Sequence, residues 1–278
     1  MNAAIKLEGT DAVIDCQGHT VRQVAVDFGS SALANGATAI NCKVEQFYDG
    51  FFVQDGGEVK KSEASRNCRG VIIQDEEDVD SDLDSKISDV YIHDNGAGML
   101  VYDRSRRENA VIIKDVEIKN SLRYGLGLRE SDVTVKDSIF SYNGEEGVIV
   151  VGEEENYPTK VQFEGIVSSH HNSGAGILLR PGKGSNPPNP NFAEISVKGV
   201  LNTHLNTDNG LGVNANSDMD FTVLDSGSVN SCENTSPDIE ISDSAPNFML
   251  VDEGKDGYTC DATGDGLPTC VSCPSCTD

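Results

Sequence analysis

Tyr102 and Arg129 combine a group that can transfer a proton with a fixed positive charge, so they are candidates for acid–base chemistry on an anionic molecule. An arginine can neutralise a carboxylate, while a tyrosine can take or give a proton at the carbon beside it. Both residues follow a glycine by four positions, in the similar segments 98–103 and 125–130. If these segments are neighbouring parallel strands, the two side chains lie about 4.8 Å apart along the sheet. We therefore predict that Tyr102 and Arg129 are catalytic.

The same strand position in other segments supplies further candidates for binding, and the position after it is acidic in several of them. The predicted substrate-binding residues are Gln74, Tyr102, Asp103, Arg129, Glu130, Arg180 and Asn214.

These segments belong to a repeat in which a glycine or aspartate leads a short apolar strand. Its copies start at residues 50, 70, 98, 125, 147, 176, 210 and 238, at intervals of 20 to 34 residues. Such irregular spacing excludes helical repeats of constant length and favours strands joined by loops of variable length. Since side chains alternate along a strand, the first and third positions should point inward. This pattern predicts that Val148, Ile177, Leu179 and Val213 are buried.

Asparagines precede most of these strands. Asn143, Asn172, Asn206 and Asn234 each stand four residues before the next strand start. Asparagine tolerates left-handed backbone and can bond to neighbouring main chain. We therefore expect the asparagines to stack as a ladder inside a repeated turn.

The opening segment 12–21, Ala-Val-Ile-Asp-Cys-Gln-Gly-His-Thr-Val, and the recurring form Asn-x-x-x-Gly-Ile-x-Leu resemble the pectate-lyase-like superfamily of right-handed parallel β-helices. The resemblance covers about residues 5 to 243. It implies an all-β fold, a right-handed parallel β-helix (solenoid) that forms a single domain of about eight rungs, where a rung is one turn of the coil. We place this domain at residues 1–243 and a short Cys-rich C-terminal tail at residues 244–278.

The superfamily contains lyases, hydrolases, epimerases and non-catalytic proteins, so the fold alone does not determine function. Polygalacturonase relatives carry four motifs in order, and this chain has only one of them, Asn206-Thr207-Asp208. The resemblance therefore implies a polysaccharide lyase or uronate epimerase, if the protein is an enzyme, rather than a hydrolase of that type.

The chain is strongly acidic, with 21 basic and 46 acidic residues and a net charge of −25. This charge excludes nucleic acid as an expected partner, because phosphate would be repelled. Residues 104–136 are the exception, with eight basic and five acidic side chains, and Tyr91, Tyr102 and Tyr124 lie near them in sequence. We predict that an acidic polysaccharide binds there; salt-bridged surface loops are the alternative.

A second surface feature is a stripe of apolar side chains at the outward second position of the strands. This position is held by Phe52, Ile72, Leu100, Gly127, Ile149, Leu178 and Gly212. Such a stripe must be covered by the chain itself or by another copy. Self-association through this stripe would make the protein a non-catalytic structural or adhesive component of a cell surface or extracellular matrix, which is the alternative function.

An acidic run contains aspartates at alternating positions, Asp80, Asp82 and Asp84. Their carboxylate oxygens are predicted to bind Ca²⁺. A solvated acidic loop is the alternative, and no organic cofactor is expected. His170 and His171 adjoin Asn172 and are interpreted as loop residues.

Eight cysteines and an acidic surface suggest a secreted or extracellular protein, although the chain begins without a leader segment. Membrane insertion is not expected, because no apolar run is long enough. Two of Cys16, Cys42 and Cys68 are expected to bridge adjacent rungs, and the four tail cysteines are expected to form disulfides rather than a zinc site. The disulfide candidates are Cys16, Cys42, Cys68, Cys232, Cys260, Cys270, Cys273 and Cys276.

Overall fold

The computed structural model describes most of the chain. The described residues are 3–8, 12–22, 30–34, 36–75, 84–103, 110–152, 158–181, 191–213, 217–224, 227–237, 239–241, 248–252, 258–259 and 262–263. Within them, 28 β-strands follow one another.

The strands of the first half are β1 (Ala3–Glu8), β2 (Val13–Asp15), β3 (Thr20–Arg22), β4 (Ser30–Ala34), β5 (Thr38–Ile40), β6 (Lys43–Glu45), β7 (Asp49–Val53), β8 (Glu58–Ser65), β9 (Arg69–Asp75), β10 (Ser85–His93), β11 (Ala97–Asp103), β12 (Val111–Lys119), β13 (Leu126–Arg129), β14 (Asp132–Lys136) and β15 (Ile139–Ser141). Those of the second half are β16 (Val148–Gly152), β17 (Thr159–Glu164), β18 (Ile166–His170), β19 (Ile177–Pro181), β20 (Asn191–Val197), β21 (Val200–His204), β22 (Leu211–Val213), β23 (Ser217–Val223), β24 (Ser228–Cys232), β25 (Ile239–Ile241), β26 (Phe248–Asp252), β27 (Tyr258–Thr259) and β28 (Ala262–Thr263).

Three sheets of parallel strands run along the molecule. Sheet I contains β1, β4, β7, β9, β11, β13, β16, β19, β22, β25 and β28 in that order. Sheet II contains β2, β5, β14, β17, β20, β23 and β26, with the first halves of β8, β10 and β12. Sheet III contains β3, β6, β15, β18, β21, β24 and β27, with the second halves of β8, β10 and β12.

The chain visits sheets I, II and III in turn and adds one layer at each circuit. The fold is therefore a right-handed parallel β-helix, as the sequence predicted. Sheet I has 11 strands within the described residues, more than the eight expected, because β1, β4 and β28 lack the glycine-led pattern. Strands β26 to β28 also pair with their predecessors, so strand pairing continues past residue 243, where the sequence placed the domain boundary.

In the middle rungs, the corner between sheets II and III contains one residue with left-handed backbone. Lys61, Asp89 and Asp115 hold this position inside β8, β10 and β12, with φ of 48°, 53° and 54°. Asp137 and Gly165 hold it where the strands are separate. One left-handed residue bends the chain sharply while the strands on both sides keep their pairing with the next rung.

The asparagine ladder lies at the corner between sheets III and I, and its hydrogen bonds confirm the sequence prediction. The backbone N–H of Asn143 donates to Oδ1 of Asn172 at 3.0 Å, Asn172 donates to Asn206 at 3.1 Å, and Asn206 donates to Asn234 at 3.0 Å. Asn206 is only 1% exposed, which explains the isolated Asn-Thr-Asp motif as part of a structural turn.

Two details of this corner differ from the expectation. The left-handed residue is the one before the ladder asparagine, for example Tyr142 and His171, each with φ of 55°. In the rung after Asn95, the ladder position is held by Ser121, whose N–H donates to Asn143 Oδ1 at 3.1 Å, and Asn120 takes the left-handed position. The serine side chain is too short to span the distance between rungs.

Where a glycine leads a strand of sheet I, close contact between rungs requires it. A Cβ on Gly125 would lie 2.6 Å from the carbonyl oxygen of Gly147 and 2.8 Å from Nδ2 of Asn143. Neither atom can move without breaking the pairing or the ladder. The recurring glycine is therefore a packing requirement of this corner.

Side chains from all three sheets fill the interior of the coil. Val148, Ile177 and Leu179 are 0% exposed and Val213 is 2% exposed, so the predicted register of the sheet I strands is confirmed. In the outward second-position stripe, Phe52, Ile72 and Ile149 are 3–4% exposed in the single chain, whereas Leu100 and Leu178 are partly buried. The chain itself therefore covers much of the stripe, as the first of the two sequence alternatives expected.

A disulfide joins Cys16 and Cys42, whose Cα atoms are 4.8 Å apart in adjacent rungs. This pairing agrees with the expected bridge between rungs. Cys68 is an exposed free thiol, so it is not a disulfide partner. Cys232 is buried at the end of β24. The tail candidates, Cys260, Cys270, Cys273 and Cys276, lie outside the described residues.

We predict that Ile177→Ala lowers the free energy of unfolding by about 2 to 4 kcal/mol, through lost burial and the cavity left behind. Ile166 begins β18 with 61% exposure, so Ile166→Ala is a matched control that should cost less than about 1 kcal/mol. Chemical denaturation of both variants measures the difference. Equal losses would contradict the assigned register, because a shift of one residue exchanges the two faces of a strand.

Candidate functional site

The predicted site residues on sheet I form a column on neighbouring strands. Tyr102 pairs in register with Gln74 on one side and with Arg129 on the other. Arg129 pairs with Val151, and Val151 pairs with Arg180. The side chains of this column alternate with the buried first and third positions, so they lie on the outer face of sheet I.

Tyr102 and Arg129 are in direct contact. The guanidinium carbon of Arg129 lies 5.4 Å from the centroid of the Tyr102 ring, within the range of a cation–π interaction. A terminal nitrogen of the same guanidinium lies 3.6 Å from a carboxylate oxygen of Glu130. The Arg129 side chain is 44% exposed, whereas that of Glu130 is 5% exposed. Arg129 is thus positioned from two sides while part of its guanidinium stays open to solvent.

Glu130 is placed by the turn that follows β13. Its backbone is left-handed, with φ of 46°, and its N–H donates to Oγ1 of Thr159 at 2.9 Å. The Thr159 hydroxyl in turn donates to the carbonyl oxygen of Val151 at 2.7 Å. These bonds connect consecutive rungs at the position of the column, so the acidic partner of Arg129 is part of the scaffold. A direct role of Glu130 in holding a ligand fits poorly with this burial.

The remaining predicted binding residues are less closely grouped. Arg180 is two strands from Arg129, about 10 Å along the sheet, with the apolar Val151 between them. Asp103 ends β11 beside Tyr102, but its side chain lies outside the described residues, as does all of Asn214. Tyr102, Arg129 and Gln74 are therefore the part of the predicted site that the structure brings together.

Within the described residues, the basic side chains of segment 104–136 do not share one surface. Lys114 and Lys136 lie on sheet II, Lys119 on sheet III, Arg123 in the corner before sheet I, and Arg129 on sheet I. The segment spans more than one rung, and successive strands therefore face different sides of the coil. Several of these residues form surface ion pairs, such as Lys119 with Glu117 at 3.1 Å, as the alternative expected.

Tyr124 lies beside the site, two residues before β13, the strand that carries Arg129. A Cβ on Gly127 would lie 2.9 Å from the Tyr124 ring, so the ring crosses the glycine and covers this part of the sheet. Burial raises the pKa of the Tyr124 hydroxyl, and the positive charge of Arg123 opposes the shift only in part. Tyr124 therefore stays protonated near neutral pH and is unsuited to act as a general base.

The structure brings together histidines that the sequence analysis interpreted as loop residues. His170 ends β18, and its ring stacks on that of His204, with centroids 5.0 Å apart. Nδ1 of His170 lies 2.8 Å from Nδ1 of His171, whose ring stacks on Tyr142. In the sequence, His170 and His204 each stand two residues before a ladder asparagine. Only the register of the strands shows that these two histidines are neighbours.

The calcium prediction is only partly within the described residues. Asp84 precedes β10 and is half-buried, whereas Asp80 and Asp82 lie outside them. In the part of the chain that the structure describes, no group of three or more His, Cys, Asp or Glu side chains is arranged to hold a metal ion. The calcium site therefore stays a prediction. No helix among the described residues is long and apolar enough to cross a membrane.

The sequence matches no protein-family model and no curated protein. The structure is similar to the A-module of the Azotobacter vinelandii mannuronan C-5 epimerase AlgE4, with a TM-score of 0.54, 12% identity, and coverage of 87% of this chain and 79% of that one. For the A-module of A. vinelandii AlgE6, the TM-score is 0.43 and the identity is 11%, with coverage of 86% of this chain and 72% of that one. For the catalytic domain of a GH87 α-1,3-glucanase bound to nigerose, the TM-score is 0.46 and the identity is 11%, with coverage of 91% of this chain and 58% of that one. The likeness to the AlgE4 module shows a shared fold.

We predict that Tyr124 ionises at higher pH than a free tyrosine, whose pKa is 10.0. Because the folded-state pKa is raised, stability is fully present below pH 10 and declines as the pH rises through the folded value. Ultraviolet difference titration of the protein and of Tyr124→Phe measures the absorbance change that the variant lacks. The pH of this change is the pH at which Tyr124 ionises. A Tyr124 contribution that appears at the ordinary tyrosine pKa would contradict the assigned burial.

Proposed function

We propose that this protein is a secreted β-helix protein that binds an acidic polysaccharide on the outer face of sheet I. The observation that carries the proposal is the in-register group of Gln74, Tyr102 and Arg129, with the Arg129 guanidinium over the Tyr102 ring and 44% of its side chain exposed.

The group suits a sugar acid because each member offers a different interaction. Arg129 can donate charge-assisted hydrogen bonds to a carboxylate or sulfate. Tyr102 offers an aromatic face to a sugar ring, and the Gln74 amide can both donate and accept bonds with hydroxyl groups. Arg180 lies farther along the same column and can contact a second acidic sugar. Consecutive strands are about 4.8 Å apart, so the column lies along the direction of the coil.

The net charge of −25 opposes a polyanion at long range. At physiological ionic strength this repulsion is screened beyond about 8 Å, whereas contacts within the site are screened much less. Affinity should therefore depend on the few direct contacts with Arg129 and Arg180. The proposal requires a short binding segment rather than attraction over the whole surface.

Two further features of the proposal concern chemistry. The AlgE4 module, whose fold the chain shares, is a mannuronan C-5 epimerase, which supports a carbohydrate role for this β-helix. A lyase or epimerase reaction needs a group that removes the C5 proton and a cation beside the carboxylate, and Tyr102 and Arg129 are the candidates.

We also propose Ca²⁺ binding by Asp80, Asp82 and Asp84, as oxygen ligands on alternating positions.

The alternative, self-association through the outward apolar stripe, has less support. Phe52, Ile72 and Ile149 are almost completely covered within the single chain, which leaves little apolar area for a second copy.

We predict that Arg129→Ala weakens binding of oligomannuronate by about 1.5 to 3 kcal/mol, the usual loss for a hydrogen bond to a charged group. The loss should shrink at high salt, where screening has already reduced the attraction. Arg66→Ala removes the same charge from an exposed arginine elsewhere on the coil and should leave binding unchanged. Titration calorimetry measures both variants. Parent-like binding by Arg129→Ala would remove this site from the proposal.

Catalysis has its own test. A lyase would leave an unsaturated uronate that absorbs in the near ultraviolet, and an epimerase would exchange the C5 proton with deuterated solvent, which NMR detects. We expect Tyr102→Phe to abolish either signal while the sugar still binds, because the hydroxyl is lost and the ring is kept. Absence of both signals from the parent protein, with binding intact, identifies a non-catalytic binding protein.

A further inference from the structure

A groove of about 750 Å³ lies on the surface where sheets II and III meet, across the first rungs. Its volume is within the range of small-molecule sites. One wall is formed by corner residues with left-handed backbone, including Asn41, Lys61 and Asp89 in successive rungs. The other wall is formed by Lys43, Glu63 and Tyr91, which pair in register on sheet III. The groove therefore lies on another side of the coil from Tyr102 and Arg129.

The Tyr91 ring is held in place from two directions. It stacks on the ring of His93, with centroids 4.3 Å apart and an angle of 25° between the planes. The Lys119 ammonium lies 4.9 Å from the centroid of the Tyr91 ring. Hydrogen bonds to Tyr91 and Glu117 raise the pKa of Lys119, so this contact involves a charged lysine over the whole neutral range. Tyr91 is thus a rigid aromatic surface at the edge of the groove.

One ion pair and two hydrogen bonds connect the residues around Tyr91. Lys43 Nζ lies 2.8 Å from a carboxylate oxygen of Glu63, whose other oxygen lies 3.1 Å from Nε2 of His93. Nδ1 of His93 lies 2.8 Å from Asp94. The contact with Lys43 lowers the pKa of Glu63 despite its partial burial. Glu63 is therefore ionised at neutral pH, and its charge is balanced within the wall.

The corner residues that line the groove present exposed polar groups. Lys61 and Asp89 are exposed neighbours in register, yet within the described part of the chain neither forms an ion pair or side-chain hydrogen bond. One offers three donors and the other offers carboxylate acceptors, on strands about 4.8 Å apart. A ligand in the groove can therefore be bound by a donor and an acceptor on adjacent rungs, beside an aromatic ring.

The charges that line the groove cancel. Lys43 and Lys61 are positive, and Glu63 and Asp89 are negative. A polyanion would meet the open Asp89 carboxylate in a chain of charge −25, and a polycation would meet Lys61. A neutral sugar avoids both penalties, because each hydroxyl can accept from the ammonium or donate to the carboxylate. Its apolar ring face also matches Tyr91.

We propose that the groove lined by Asn41, Lys61, Asp89 and Tyr91 binds a neutral oligosaccharide. The groove crosses four rungs, about 14 Å, which is long enough for a short glycan segment lying along the coil. This site is separate from the acidic-polysaccharide site proposed on sheet I and does not depend on it.

The test is titration calorimetry with cellohexaose, laminarihexaose, mannohexaose and xylohexaose, with hexamannuronate as the acidic comparison. We expect at least one neutral hexasaccharide to bind. Tyr91→Ala should weaken that binding about tenfold through loss of the aromatic contact, and Tyr91→Phe should keep it within about twofold. Asp89→Asn should weaken it about fivefold, and asparagine tolerates the left-handed backbone at this corner, so the variant should fold.

Matched controls lie elsewhere on the same coil. Asp115→Asn changes the next exposed left-handed aspartate of the same corner, which does not line the groove, and Tyr142→Ala removes an exposed tyrosine at a different corner. Both should bind the neutral sugar as the parent does. Failure of all four neutral sugars to bind at millimolar concentration overturns the proposal, as does parent-like binding by folded Tyr91→Ala and Asp89→Asn. Arg129→Ala should affect only hexamannuronate, so failure at either site is distinguishable from failure at the other.

Discussion

The contact between successive rungs at the corner between sheets III and I is the constraint on which the rest of the structure depends. There, an asparagine side chain accepts a hydrogen bond from a backbone N–H of the preceding rung. The glycine that follows the asparagine leaves room for a carbonyl oxygen of the next rung. The buried asparagine amides would be costly to leave without partners, so a shift of one rung against the next would lose several hydrogen bonds at once. Every rung is therefore aligned to its neighbours at the same point.

This alignment turns positions in the sequence into columns on the surface. On sheet I it places Tyr102 between Gln74 and Arg129, and on sheet III it places Tyr91 beside Glu63. Each column is perpendicular to the strands and rises by about 4.8 Å per rung, a spacing close to the dimensions of a sugar. A coil with three such faces can present different chemistry on each face. The two proposed sites use this property, one with a positive charge over an aromatic ring and one with balanced charges beside an aromatic ring.

The acidic surface is compatible with the fold because most basic side chains have partners close to them. Lys160 pairs with Glu194 across sheet II, and Lys43 pairs with Glu63 across sheet III. Such exposed pairs add little to stability individually. They leave the excess of carboxylates spread over the coil. Specific recognition therefore depends on small groups such as Tyr102 and Arg129, whose geometry the scaffold fixes.

The sequence by itself determined the alternation of inward and outward positions, the strand-leading glycines and most of the asparagine ladder, because these follow from local geometry that repeats in every rung. It also placed Tyr102 beside Arg129, since both are counted from the same kind of glycine. Only the tertiary structure showed that Lys114, Lys119 and Arg129 lie on three different faces and that His170 meets His204. Loops of variable length join the strands, so separation along the chain does not give position around the coil. For the same reason the groove at Lys61, Asp89 and Tyr91 has no signature in the sequence.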